Sequence, residues 1–397
     1  MNESTFTPGG GRPGGQGPAG LQAVGSVAVR TFAARQSGHR GTSSQGPQQT
    51  PTQTAHQSMD GHHVNAMAGD RSGDTHSHFA DYEELSPEGH FYDPDAEYEP
   101  DPEYAATLAP DAARQRRERV GPTGRPLPYF PIPGPLTDHG PAKIIAMCNQ
   151  KGGVGKTTST INLGAALAEY GRRVLLVDFD PQGALSVGLG VNPMELDLTV
   201  YNLLMERGMS ADEVLLKTAV PNMDLLPSNI DLSAAEVQLV SEVARESTLQ
   251  RALKPLMDDY DYIVIDCQPS LGLLTVNALT AAHKVIVPLE CEFFALRGVA
   301  LLTETIEKVQ ERLNPELELD GILATMYDSR TVHSREVLAR VVEAFDDHVY
   351  HTVIGRTVRF PETTVAGEPI TTYASNSVGA AAYRQLAREV LARCHAE

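Results

Sequence analysis

The sequence predicts an α/β fold: a mostly parallel, twisted sheet with helices on both faces, preceded by a disordered N-terminal tail. Three observations predict it. From Lys143 onward, short apolar runs alternate with helical patterns, the order expected of parallel strands joined by crossover helices. Several runs are apolar throughout rather than at every second position, which suits strands buried on both faces. The first run leads straight into CNQKGGVGKTTSTINLG (148–164), a glycine-rich turn that opens a helix.

In chain order the expected strands are KIIAMCN (143–149), RRVLLVDFD (172–180), MDLLP (223–227), YIVID (262–266), KVIVPL (284–289), DGILATMY (320–327) and YHTVI (350–354). The helix TTSTINLGAALAEYG is expected to stop at Gly171, a residue suited to the left-handed conformation that ends helices. The pattern ALRGVALLTETIEKVQERLN is expected to stop before Pro315. Residues 143–397 show no internal repeat and fit one large domain.

Residues 1–142 contain ten arginines and no lysine. They read first as Gly/Pro/Gln-rich text (PGGGRPGGQGPAG, SSQGPQQTPTQ) and then as an acidic stretch, DYEELSPEGHFYDPDAEYEPDPEY. Such a composition buries too little apolar surface to offset its ordering entropy. It is expected to be a disordered tail, with GPTGRPLPYFPIPGPL (121–136) as an extended proline-rich linker. His56, His62, His63, His76 and His78 sit among Gly, Ser and Asp without a fixed frame, so a solvated tract is preferred to a metal site. Tyr82, Phe91, Tyr92, Tyr98 and Tyr104, interleaved with acids, are spaced as a docking motif could be.

The formal charge of −19 disfavours a strongly basic nucleic-acid binder but leaves room for a local basic patch. Cys148, Cys267, Cys291 and Cys394 show no metal-ligand or disulfide spacing, and this usage suits a reducing cytoplasm. No apolar stretch approaches the roughly 20 residues of a membrane span, and no signal peptide is expected.

The loop carries the chemistry. Its pattern is that of a phosphate-binding loop, G-x-x-x-x-G-K-[ST], except that Gln150 stands at the first glycine and an additional lysine, Lys151, follows it. Gly152, Gly153 and Gly155 let backbone N–H groups turn toward phosphates at a helix N-terminus. Lys156 is placed to reach the β- and γ-phosphates, and the Thr157 hydroxyl to reach Mg²⁺. YIVIDCQPS puts Asp266 at the carboxyl end of a strand, the position of an acid that holds Mg²⁺ through water. RRVLLVDFDPQG puts Asp178 and Asp180 at the end of another, where open α/β sheets bind ligands.

The segments KIIAMCNQKGGVGKTTSTINLGAALAEYGRRVLLVDFDPQGALSVGLG, YIVIDCQPSLGLLTVNALTAAHKVIVPLECEFFALRGVALL and RTVRFPETTVAGEPITTYASNSVGAAAYRQLA resemble the ParA/Soj chromosome-partitioning ATPases. These belong to the deviant Walker-A group of P-loop proteins, and the resemblance covers essentially all of 143–397. It implies a nucleotide-binding set of Lys151, Gly152, Gly153, Val154, Gly155, Lys156, Thr157 and Thr158, with ATP rather than GTP bound. It implies a metal set of Thr157, Asp178 and Asp266 for Mg²⁺. Catalysis would rest on Asp180, positioning the attacking water, and on Lys151, which crosses a dimer interface to the nucleotide of the second chain. The implied cycle is a homodimer formed on ATP binding, non-specific binding to double-stranded DNA, and release by hydrolysis that a ParB-type centromere-binding partner stimulates. The location would be cytoplasmic and nucleoid-associated. The DNA-binding candidates are Arg330, Arg335, Arg356 and Arg359.

The chain departs from the family text in DCQPS, with Gln268 where proline is common, and in RTVRFPETTV. A MinD-type membrane-surface regulator would need a basic amphipathic C-terminus, and YRQLAREVLARCHAE ends acidic. A nitrogenase-reductase relative would need cluster-ligating cysteines, for which Cys148 and Cys267 are poorly placed. A related ATPase that positions a non-DNA cargo would share the same fold and ATP chemistry.

Overall fold

The structure, a computed structural model, describes residues 119–292 and 295–394. The tail, with its histidine and tyrosine features, lies outside the described residues up to 118. The described residues all belong to one compact unit.

Among the described residues seven strands make one sheet, in the order β3-β4-β2-β5-β1-β6-β7. They are β1 (Lys143–Met147), β2 (Val174–Phe179), β3 (Leu216–Lys217), β4 (Met223–Leu226), β5 (Tyr262–Cys267), β6 (Lys284–Glu290) and β7 (Glu318–Thr325). Every pairing is parallel except β3 with β4. The five longer helices are α1 (Lys156–Glu169), α2 (Leu273–Ala281), α3 (Ala295–Arg312), α4 (Val332–Phe345) and α5 (Val378–Cys394).

Successive strand residues point to opposite faces, so continuous apolar strands require cover on both sides. Ile144, Ala146, Ile263, Ile265, Val285 and Val287 pack on one face against α2, α3 and α4. Their chain neighbours Ile145, Met147, Tyr262, Val264 and Ile286 pack on the other against α1 and α5. The expected helix ends hold: α1 stops at Glu169 before Gly171, whose φ of 75° is left-handed, and α3 stops at Arg312 before Pro315.

Two expectations change. The two-residue edge strand β3 went unseen because two residues carry no periodicity. The expected strand 350–354 is not one: Tyr350 and Ile354 donate to Ile322 and Ala324 of β7, but four residues are spent where β7 spends two. The surplus amides of His351 and Thr352 donate instead to the fully buried Glu389 carboxylate, at 2.8 and 2.9 Å.

The folded body also begins before Lys143. The proline-rich stretch expected as an extended linker opens instead with a tight turn, the Gly124 amide donating to Gly121 O at 3.0 Å and the Leu127 amide to Arg119 O at 2.8 Å, and it packs along the body. Arg125 donates to the carbonyls of Asp346 and Val349, Arg172 donates to that of Gly134 at 2.7 Å, and the Ala142 amide donates to that of Met257 at 2.7 Å. Asp261 accepts from the Gly140 amide at 3.1 Å and lies 2.9 Å from His139 Nδ1. Arg172 lies two residues before β2 and Asp261 one before β5, so this strap passes under the amino-terminal ends of the strands, opposite the glycine-rich loop.

Candidate nucleotide site at the strand ends

Three adjacent strands converge on the site. β1 lies beside β5, and β5 beside β2, so their carboxyl ends bring together the 148–155 loop, Asp266 and Asp178. Met147 and Asp178 both stand in register with Asp266.

The loop is held by residues that its glycine–lysine pattern does not include. Asn149 donates to Pro288 O at 2.7 Å and accepts from the Lys151 amide at 2.9 Å. Thr325, at the end of β7, donates to Val154 O at 2.8 Å. Gly153 (φ 75°) and Gly155 (φ 83°) take left-handed backbone, a conformation that strains residues with a Cβ, and Gly155 caps α1. Lys156 is buried, and its Nζ folds back to Lys151 O at 3.1 Å. Thr157 Oγ1 donates to Asp266 Oδ2 at 2.6 Å.

Both strand-end carboxylates are fully buried. Burial, then the charge of Asp178, pushes Asp266 up to about 8, against the Thr157 hydrogen bond and the Lys156 charge. Burial likewise pushes Asp178 up to about 7, opposed by hydrogen bonds from Ser186. Two facing acids under a phosphate loop form a site that a divalent cation would relieve electrostatically. The donor set fits a hard cation taking oxygen ligands, with Thr157 and Asp266 the groups free to turn toward it. Asp178 is more committed: its Oδ2 accepts from the Ser186 amide and hydroxyl at 2.8 and 2.7 Å, and its Oδ1 from the Asp180 amide at 3.3 Å. It thus ties down the D-P-Q-G turn, where Asp180 Oδ1 accepts from the Gln182 amide at 2.9 Å.

Lys151 points elsewhere. Its Nζ lies 2.9 Å from Glu290 Oε2 and 2.6 Å from Glu292 Oε2, with the side chain 43% exposed. Burial lowers its pKa, but the hydrogen bonds to Glu292 and Glu290 outweigh this and raise it. The arginine candidates do not converge with the loop as a group. Arg356 pairs with Glu290 Oε1 at 3.3 Å, Arg359 with Glu362 at 3.0 Å and Arg330 with Asp328 at 2.9 Å; Arg335 donates to Ser329 O at 2.7 Å. Gln268, the departure after β5, donates to Glu236 at 3.2 Å. Sequence reading missed Asn149, Ser186, Glu290, Glu292 and Thr325. Glu290 ends β6 beside β1, a strand-end signal of the same kind that pointed to Asp266.

A family model described as an AAA domain matches residues 142–319. An uncharacterized protein of Mycobacterium tuberculosis is 69% identical over 274 residues, which is 69% of this chain and 86% of that protein. The sporulation initiation inhibitor protein Soj of Bacillus subtilis is 48% identical over 63% of this chain and 98% of its own length. A solved Mycobacterium smegmatis structure, described as cobyrinic acid a,c-diamide synthase with bound ADP and magnesium, is 46% identical with a TM-score of 0.57. The match covers 64% of this chain and 96% of that one. Since proteins described as Soj and ParA are 47–49% identical over almost their entire lengths, and the loop and strand-end acids lie together, the chain belongs to the ParA/Soj family of P-loop ATPases.

Proposed function

We propose that this protein is an ATP-driven partitioning switch: with ATP and Mg²⁺ bound it forms a homodimer that holds DNA non-specifically, and hydrolysis stimulated by a ParB-type partner releases it. One observation carries the reading. The two loop lysines diverge: Lys156 turns into its own loop, whereas Lys151 stands partly exposed at the rim, where a second chain could present its nucleotide. Gly152 supports it, because a Cβ there would meet nothing within 4 Å of its own chain. The intramolecular fold does not require that glycine, but close approach of a partner would.

In this reading the loop amides from Lys151 to Thr158 and the Lys156 ammonium hold the phosphates. Thr157 and Asp266 hold Mg²⁺, with Asp178 behind them fixing the turn that carries Asp180. Mg²⁺ would neutralise phosphate charge. Asp180 orients the attacking water, and Lys151 of the second chain brings positive charge to the γ-phosphate. The apolar face of α5 is buried against the body, so it is not available to lie on a membrane as a MinD-type reading requires. Among the described residues no helix is long and apolar enough to cross one.

The test is a salt titration of duplex binding by ATP-loaded protein blocked for hydrolysis, compared with Arg356→Ala and Arg359→Ala. Affinity should require ATP and ignore sequence, since phosphate contacts carry no base information. It should fall with salt at a log–log slope of about −0.9 per phosphate neutralised, and each variant, losing two contacts per dimer, should flatten that slope by roughly 2. A wild type indifferent to DNA would shift the reading to a non-DNA cargo. The Mycobacterium smegmatis description favours one further reading, ATP-driven amide formation. Turnover that depends on cobyrinic acid and an amide donor, rather than on DNA and a ParB-type protein, would establish it.

A further inference from the structure

Lys151 does not wait free at the rim. Its ammonium lies between two carboxylates, and one of these, Glu290, is itself bridged: Oε2 takes Lys151 at 2.9 Å while Oε1 takes Arg356 at 3.3 Å. The Glu290 side chain is only 14% exposed, so its two oxygens are met by these cations more than by water. The three groups come from neighbouring parts of the sheet. Lys151 follows β1, Glu290 ends β6, and Arg356 is fixed beside the end of β7 by its amide, which donates to Tyr327 O at 3.1 Å. Beside Lys151 is an open hollow of about 360 Å³, bordered by Gln150, Arg297 and Leu301, so the side chain has room to swing once released.

We propose that Glu290, assisted by Glu292, is a positioning residue that latches Lys151 inside its own chain, and that the latch must open before Lys151 can reach nucleotide held by a second copy. This rests on the ATP-dimer reading above. The latch sets a protein-concentration threshold for dimerisation, because each chain gives up its internal pairs to form the shared ones. Arg356 moderates it by competing for the same carboxylate. With Arg356 in place Glu290 keeps one cation when Lys151 leaves; without it, Glu290 would be stranded, so the lysine is held harder. Part-exposed pairs of this kind are individually weak, which suits a latch that has to open.

The experiment measures dimer fraction against protein concentration by light scattering, with ATP, Mg²⁺ and no DNA, in full-length protein carrying Asp180→Ala to block turnover. Adding the near-isosteric Glu290→Gln should lower the half-dimerisation concentration by about three- to tenfold, with unchanged ATP affinity of the monomer and an unchanged melting temperature. Adding Arg356→Ala should raise that concentration, the opposite direction, which a purely structural role for Glu290 does not produce. Adding Lys151→Ala to Glu290→Gln should abolish the gain. Should Glu290→Gln prove poorly folded, Glu292→Gln gives a second reading of the same direction. If the parent dimerises and neither carboxamide variant shifts it, the latch is overturned while the dimer reading stands. If no variant dimerises with ATP, both fall.

Discussion

Lys156 and Asp180 follow different strands, β1 and β2, and answer to different steps. Lys156 is buried with its Nζ on the Lys151 carbonyl, so its charge is available to phosphates with little competition from water. Two charge-assisted contacts at about 1.5–3 kcal/mol each put the loss in Lys156→Ala at about a hundredfold in ATP affinity or more. Calorimetric titration of a variant shown to be folded reads this directly, and near-normal binding would reject the assignment. Asp180 belongs to the turn that Asp178 and Ser186 tie down rather than to the loop. Asp180→Ala should therefore bind ATP normally while single-turnover hydrolysis drops by about a hundredfold or more; wild-type turnover would make Asp180 structural. Lys151 teaches the opposite lesson. Its spacing in the sequence marked it as additional, but that it stands against Glu290 and Glu292 depends on β6 lying next to β1, which no local pattern encodes.

At the level of elements, the edge of the sheet shows where local reading stops. Continuous apolar runs in β1, β2 and β5 were legible because burial on both faces leaves one composition available. The 350–354 run has a similar composition but loops away from β7, with two of its amides met by Glu389 from α5. A glutamate so far along the chain gives no local sign of that role. The close packing here makes Gly321 of β7 sensitive: a Cβ would lie 2.8 Å from His348 O and 2.9 Å from Tyr350 Cε2. Gly321→Val should destabilise the protein by about 1–3 kcal/mol through overpacking, measured by urea unfolding. An unchanged midpoint would show that the 346–354 segment yields freely.

On the scale of the whole molecule, the strap from 119 to 142 belongs to the folded body. It contributes hydrogen bonds through Arg125, Gly134, Gly140 and Ala142. With each worth about 0.5–1.5 kcal/mol net, the strap is worth a few kcal/mol. Removal of residues 1–142 should lower Tm by about 5 °C or more, whereas removal of 1–118 should leave these bonds intact and Tm nearly unchanged. Equal melting temperatures for the two truncations, read by calorimetry, would show that the strap adds nothing.

By itself the sequence determined the layered α/β class, the phosphate loop and the strand-end acids Asp178, Asp180 and Asp266. Each of these is written in a short stretch whose composition or spacing has one physical use. Only the tertiary structure decided that Asp178 faces Asp266 across β2 and β5, and that Asn149 and Thr325 brace the loop. It alone showed the proline-rich segment as a strap and Lys151 clasped between two glutamates. Most of those contacts join residues more than a hundred positions apart or unite separate strands, and such pairings are set by strand order in the sheet, which is a property of the packed chain rather than of any segment of it.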